Sequence, residues 1–202
     1  EPLSNLDAKL RVEMRTEIKK LHQKLGTTIV YVTHDQIEAM TLASRIAVMR
    51  EGCIEQLGTP AEIYNRPASR FVAEFMGSPP INILDTHQLP DGLEIAQGAS
   101  FLSGLSASQP VVLGVRPEAL KPTPFEGALQ WQGVVDLIEL TGPEQIVSVM
   151  LNDTRVTATL PADLTLTIGQ EITLFVDPNR LLFFDAQDGQ RIDLCARQTA
   201  VA

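Results

Sequence analysis

Two cysteines, three histidines and one tryptophan in 202 residues leave this chain little material for thiol, imidazole or indole sites. Cys53 and Cys195 stand far apart without metal-ligand spacing, so a reduced pair is expected and a disulfide framework is not. No apolar run is long enough to cross a bilayer. Cationic clusters are also missing. Residues 81–202 hold six Lys/Arg against fifteen Asp/Glu, which argues against binding a nucleic-acid backbone, because that needs concentrated positive charge. None of the five lysines directly follows a glycine, and no Gly-x-x-x-x-Gly-Lys-Ser/Thr occurs. A self-contained phosphate cradle of backbone N–H groups is thereby excluded.

What is present divides into two parts. Residues 1–80 carry ten basic and ten acidic side chains, so the whole net charge of −9 lies beyond them. The first part has helical periodicity. Leu10, Met14, Ile18, Leu21 and Leu25 form one apolar stripe over Asp7–Leu25, and Gly26 closes that helix. Thr27–Thr33, TTIVYVT, is β-branched and almost continuously apolar, which predicts a strand covered on both faces of a parallel sheet. Asp35-Gln36-Ile37-Glu38 predicts a capping-box-like helix start through about Ala43, with Glu38 paired to its own helix terminus. A hairpin is predicted over Ile46–Met49 and Cys53–Leu57. A helix starts at Thr59-Pro60-Ala61-Glu62, and another runs over Ser69–Met76 with Phe71, Val72 and Phe75 inward. Gly77-Ser78-Pro79-Pro80 is the expected domain boundary, giving units 1–77 and 78–202.

After the boundary the rhythm changes. Short apolar runs recur at Ile81–Leu84, Val111–Val115, Leu129–Leu140, Gln145–Leu151, Arg155–Leu160, Glu171–Val176 and Leu181–Phe184, punctuated by Gly, Pro, Asn and Asp. That pattern predicts an all-β barrel. Val134, Leu137, Ile138 and Leu140 read as core positions, and Trp131 as packing at a barrel end. Leu102–Leu105, LSGL, reads as a loop.

The opening EPLSNLD and the YVTHDQIEAM segment carry the chemistry. Glu1, held by Pro2 at the exit of a strand, is the kind of carboxylate that positions water for attack on a γ-phosphate. His34, at the carboxyl end of the Thr27–Thr33 run, can donate to a phosphate oxygen from a neutral ring. Taken singly, a terminal Glu is ordinarily solvated, a lone His structural, and Asp7 an N-cap. Their order and spacing together favour the functional reading.

EPLSNLDAKLR resembles the end of the Walker B segment and the D-loop of ABC ATPases, and YVTHDQIEAM resembles their switch-histidine loop. DQIEAMTLA, FVAEFMGSPP, GVRPEAL, IELTGPEQ and FFDAQDGQRI extend the likeness to importer ATPases for maltose, other sugars and glycerol 3-phosphate. The resemblance implies an α/β fragment of a P-loop-type ABC ATPase domain followed by an all-β OB-type (TOBE) regulatory domain. It makes Glu1 the catalytic base and His34 the γ-phosphate contact. Ser4, Asn5 and Asp7 become dimer-facing D-loop residues, and Arg116-Pro117-Glu118 a dimer- or regulator-facing turn; the residues alone read as a turn with a local ion pair. ATP and Mg²⁺ are implied for a full-length parent and none for the fragment, which lacks the Walker B aspartate and is expected to be inactive. The opening reads as a cut edge, leaving an exposed sheet edge in the first part. Implied partners are a second copy through the β domain, membrane-spanning permease subunits, a solute-binding protein and a regulatory protein, but no nucleic acid. The implied location is the cytoplasmic face of a bacterial inner membrane. The competing expectation is an OB-type module that binds a small solute, or an anion if Arg116, Arg155 or Arg180 cluster.

Overall fold

The structure is a computed structural model and describes residues 6–85 and 110–193. The chain forms two compact units, Glu1–Ala68 and Ser69–Ala202. The division falls earlier than the expected Gly77–Pro80 boundary. Backbone pairing explains the shift: Ser69 bridges Gln190 in antiparallel fashion, and the Arg70 N–H donates to the Gly189 carbonyl at 2.7 Å. The helix that follows therefore belongs to the second unit.

In the first unit, α1 spans Ala8–Leu25. Asp7 starts it by accepting from the Leu10 N–H at 2.9 Å, and the Gly26 N–H closes it on the His22 carbonyl. The amphipathic stripe forms as expected, yet no residue of α1 is buried. The Thr27–Thr33 strand does not form. Val30 is 89% exposed and Ile29 and Val32 are also open. A strand exists through its cross-strand pairs, and among the described residues nothing pairs with this segment. No parallel sheet is present in the described part of this unit, and with no ladder at 27–33 the expected open sheet edge is not there either.

Helix α2 covers Gln36–Leu42, with Asp35 as its N-cap. Strands β1 (Ile46–Arg50) and β2 (Cys53–Gly58) form the expected hairpin. Its turn residues Glu51 and Gly52 both have positive φ, 51° and 81°, the geometry that a tight two-residue hairpin demands. Helix α3 (Pro60–Asn65) opens on a complete capping box: Glu62 N–H donates to Thr59 Oγ1, and Thr59 N–H to Glu62 Oε2 at 2.8 Å. The bonds that Glu62 Oε2 accepts from the Thr59 N–H and from the Thr59 hydroxyl, the latter at 2.9 Å, hold its carboxyl below the ordinary range.

The second unit begins with α4 (Arg70–Phe75), capped by Ser69. Val72, Ala73 and Met76 are its buried residues. Phe75, expected inside, is 45% exposed and stacks on Phe71 with ring centroids 5.8 Å apart. Two antiparallel four-stranded sheets follow. One is ordered β10-β9-β4-β3, from Arg191–Ile192, Leu182–Asp185, Val111–Val115 and Asn82–Asp85. The other is ordered β7-β6-β5-β8, from Thr154–Pro161, Glu144–Leu151, Leu129–Leu140 and Glu171–Val176. One edge of the first sheet meets one edge of the second, and the β8 edge is partly covered by a bridge from outside the sheets. The Asn82 amide on β3 bonds the Thr157 backbone on β7, and Lys121 exchanges two backbone bonds with Phe175 on β8. Covering these edges reduces the surface that would otherwise recruit other strands.

One apolar core fills the space between the sheets, around Trp131, Val135, Val149, Leu160 and Leu174. Trp131 is fully buried in it, so packing is its role. The expected core positions Val134, Leu137 and Leu140 are instead exposed, Leu140 at 73%, while Ile138 is half-buried against the core. Alternation explains Val134, which lies opposite the inward Val135. Strict alternation would bring Leu137 inward, but the register shifts between Val135 and Leu137, and the extra residue reverses the facing. Gly133 permits the close approach of β5 and β6, since a Cβ there would lie 2.6 Å from the Met150 carbonyl oxygen.

Candidate functional site around His34

Of the five residues singled out from the sequence, Glu1, Ser4 and Asn5 lie outside the described residues. LSGL at Leu102–Leu105 and Cys195 lie outside them too. Asp7 and His34 are described. Asp7 serves as the cap of α1. His34 is exposed and occupies the turn that leads into α2, at the end of a segment that is not a strand.

The turn is built from a closed ring of hydrogen bonds. Thr33 Oγ1 donates to Glu38 Oε2 at 2.7 Å and accepts from the Asp35 N–H at 2.9 Å. Asp35 Oδ1 accepts from the Ile37 N–H at 2.8 Å and the Glu38 N–H at 3.1 Å. The ring thus runs from Glu38 to Thr33 to Asp35 and back to Glu38, with His34 at its apex. Tyr31 adds a fourth member by donating its hydroxyl to the same Glu38 oxygen at 3.0 Å. Burial, then the bond to Glu38 and its charge, push the Tyr31 hydroxyl up to about 12, so it stays a donor at neutral pH.

Glu38 corrects one sequence expectation. Its carboxylate does not return to the backbone at its own helix end. It is 2% exposed and turned instead toward the segment preceding His34. Buried carboxylates persist where donors satisfy them, and two hydroxyls do so here.

Arg11 was not singled out from sequence, although it draws the two candidate segments together. Its Nη2 donates to the Leu6 carbonyl at 3.0 Å, just before the α1 cap, while Nη1 stands 3.7 Å from Asp35 Oδ2. Lys19 makes a second tie, donating to the Thr41 carbonyl of α2 at 3.0 Å. An arginine one turn into a helix reads from sequence as solvated charge; nothing in the pattern names Asp35 as its partner.

Chemically, the turn offers an exposed imidazole on a fixed backbone, able to donate toward an oxyanion. The described residues do not make a nucleotide–Mg²⁺ site by themselves. No glycine-rich cradle is in the chain, and no group of three or more His, Cys, Asp and Glu among the described residues could hold a metal ion. No described helix is long and apolar enough to cross a membrane.

In the second unit, Arg116 is not part of an outward-facing turn. It is 5% exposed, and its Nη1 donates to the carbonyls of Ala73 and Met76 at the end of α4. Guanidinium charge at a helix carboxyl end satisfies free carbonyls and complements the dipole. Pro117–Ala119 continues as a short 3-10 turn. Arg155 pairs with Asp136 at 2.8 Å. Gln145, in the IELTGPEQ segment, donates to the Pro161 and Leu164 carbonyls and ties down the loop after β7.

Comparison with known proteins matches residues 113–184 to the TOBE domain, a mostly β, OB-type fold. The sulfoquinovosyl glycerol transport ATP-binding protein SmoE of Agrobacterium fabrum is 46% identical, the alignment covering 92% of this chain and 54% of that protein. The sn-glycerol-3-phosphate import ATP-binding protein UgpC of Vibrio vulnificus is 43% identical, over 100% of this chain and 55% of that protein. UgpC of Yersinia pestis is 42% identical, over 96% and 55% respectively. The chain spans about half the length of the curated relatives it matches. Among solved structures, the cytoplasmic molybdate-binding protein ModG aligns with 43% of this chain and 68% of its own at TM-score 0.36 and 19% identity. That likeness is too slight to support an argument.

Proposed function

We propose that this chain, whose homologues are ATP-binding subunits of ABC sugar and glycerol-3-phosphate importers, is the carboxyl portion of such a subunit. The observation that carries the proposal is identity of 42–46% sustained over 92–100% of the chain, spanning both units. In this reading the ATPase domain's sequence runs through residue 77, although α4 at its end packs with the second unit, and residues 78–202 form the regulatory domain. Glu1 orients the attacking water, His34 donates to the γ-phosphate, and Ser4, Asn5 and Asp7 face a second subunit. ATP with Mg²⁺ would be held chiefly by parts of the ATPase that this chain lacks, and the chain alone is inactive.

The polar, exposed setting of His34 suits a group that meets a ligand brought by other parts of the protein. The TOBE domain would support pairing with a second copy and would offer a surface to regulatory protein. Membrane-spanning permease subunits and a solute-binding protein complete the importer at the cytoplasmic face of the inner membrane, carrying a sugar or glycerol 3-phosphate.

The test joins this chain to the amino-terminal half of one of its relatives and measures ATP hydrolysis. Glu1→Gln and His34→Ala should each lower turnover by about 10²-fold or more, the scale of losing a positioned acid–base or charge-stabilising group. Normal hydrolysis in both variants would remove the assignment of these roles. No hydrolysis by the unsubstituted hybrid, once shown to fold and bind ATP, would count against the ATPase reading itself.

A further inference from the structure

We infer that Glu38 is the positioning residue for His34, a role that rests on the proposed function of that histidine. Its carboxylate lies among the least exposed polar groups of the described residues, at the start of a helix whose cap is already supplied by Asp35. A carboxylate spared from capping and buried has a cost that its partners must offset. Both partners lie in the segment leading to His34. Tyr31 and Thr33 are two residues apart and donate to a single oxygen, Oε2, at 3.0 and 2.7 Å.

Thr33 is the pivot. With its proton committed to Glu38, its oxygen is oriented to accept the Asp35 N–H at 2.9 Å. The residue before His34 and the residue after it are therefore fixed by one side chain from α2. The return bond from the Glu38 N–H to Asp35 Oδ1 closes the ring. No β-ladder supports the approach to His34, since Thr27–Thr33 is not a strand. The backbone on both sides of the histidine is held by this ring. Glu38 needs only to accept hydrogen bonds for this, so its charge and its proton are dispensable.

That last point separates positioning from catalysis. Glu38→Gln keeps an acceptor oxygen for both hydroxyls, whereas Glu38→Ala removes it. In the 202-residue chain, amide exchange at Asp35 should speed up about tenfold or more in Glu38→Ala, the scale of one lost buried hydrogen bond. It should stay close to its original rate in Glu38→Gln. Thr33→Ala, which leaves α2 intact, should match Glu38→Ala, and this guards against a fold lost through the buried site. In the hybrid ATPase described above, Glu38→Ala should lower kcat about 10- to 100-fold with little change in KM for ATP, as for a misplaced group. Glu38→Gln should restore most of that loss.

Unchanged exchange at Asp35 in both Glu38→Ala and Thr33→Ala would overturn the inference, whatever the ATPase assay gives. A loss of kcat in Glu38→Gln equal to that in Glu38→Ala would also overturn it, by showing that the carboxylate itself is needed. If the hybrid fails to hydrolyse ATP although exchange responds as expected, the functional reading fails while the role of Glu38 in fixing His34 stands.

Discussion

Asn82 and Thr157, 75 residues apart, are joined by two hydrogen bonds: the Asn82 Nδ2 donates to the Thr157 carbonyl at 2.8 Å, and the Thr157 N–H returns to Asn82 Oδ1 at 2.7 Å. A side-chain amide here takes the place of a neighbouring strand. The same Nδ2 also donates to the Val115 carbonyl at 3.1 Å, so one residue serves both sheets. Asn82→Ala leaves a half-buried donor and two acceptors unpaired and should cost about 1–3 kcal/mol of the second unit's stability. Asn82→Asp keeps the acceptor but turns a carboxylate oxygen against the Thr157 and Val115 carbonyls, and should cost at least as much as Asn82→Ala. Urea denaturation with matched m-values would read this directly.

Gly133 should resist enlargement. A methyl group there would meet the Met150 carbonyl oxygen at 2.6 Å and the Val149 side chain at 2.6 Å. Neither neighbour can retreat without disturbing the β5–β6 ladder, so Gly133→Ala should cost about 1–3 kcal/mol by overpacking. A denaturation midpoint equal to that of the unsubstituted chain would show the sheet to be softer than its register implies.

Arg116 should behave as a buried helix cap and not as a surface charge. Arg116→Ala frees the carbonyls of Ala73 and Met76 at the end of α4. The expected loss is about 1–3 kcal/mol, detected in thermal unfolding and in faster amide exchange over α4. Arg155→Ala breaks an exposed pair with Asp136 and should cost under about 1 kcal/mol.

Tyr31 offers a spectroscopic window on the Glu38 ring. Its hydroxyl is raised from 10.0 to about 12, by burial first and then by Glu38. The sign follows from linkage: a raised folded-state value stabilises the fold at pH below 10, and that contribution is lost as pH rises from about 10 towards 12. Tyrosinate absorbance should show Tyr31 ionising in that upper range. In Glu38→Gln the transition should move down towards its ordinary value, since the neighbouring negative charge is gone. A titration indifferent to that substitution would mean the two side chains are not in contact in solution.

Much of this was legible before any coordinates. Asp7, Gly26, Thr59 and Glu62 announce their helix ends because capping is a local property, settled within four residues. The strands of the second unit are visible in their alternation and turn residues. What failed was whatever depends on partners distant in sequence. TTIVYVT has every intrinsic preference of a buried strand, yet among the described residues no strand pairs with it, so propensity alone does not produce a ladder. Leu137 faces outward because a single bulged residue reverses facing, and no composition signal marks it. At the site, His34 stands out by its motif, while Asp35 and Glu38 read together as a helix start. The true partners of the Glu38 carboxylate, Tyr31 and Thr33, precede the turn and are identified only once the chain has folded back.

The antiparallel bridge between Ser69 and Gln190 has a consequence for biosynthesis. A ribosome releases the α4 segment before Arg116, Phe184 and Gln190, which hold it at successive points along the chain, so during translation its docking is completed in stages as the β domain emerges. A nascent chain arrested short of Arg116 would display Ala73 and Met76 to the chaperones around it, whereas one arrested between Phe184 and Gln190 would lack only the last bridge.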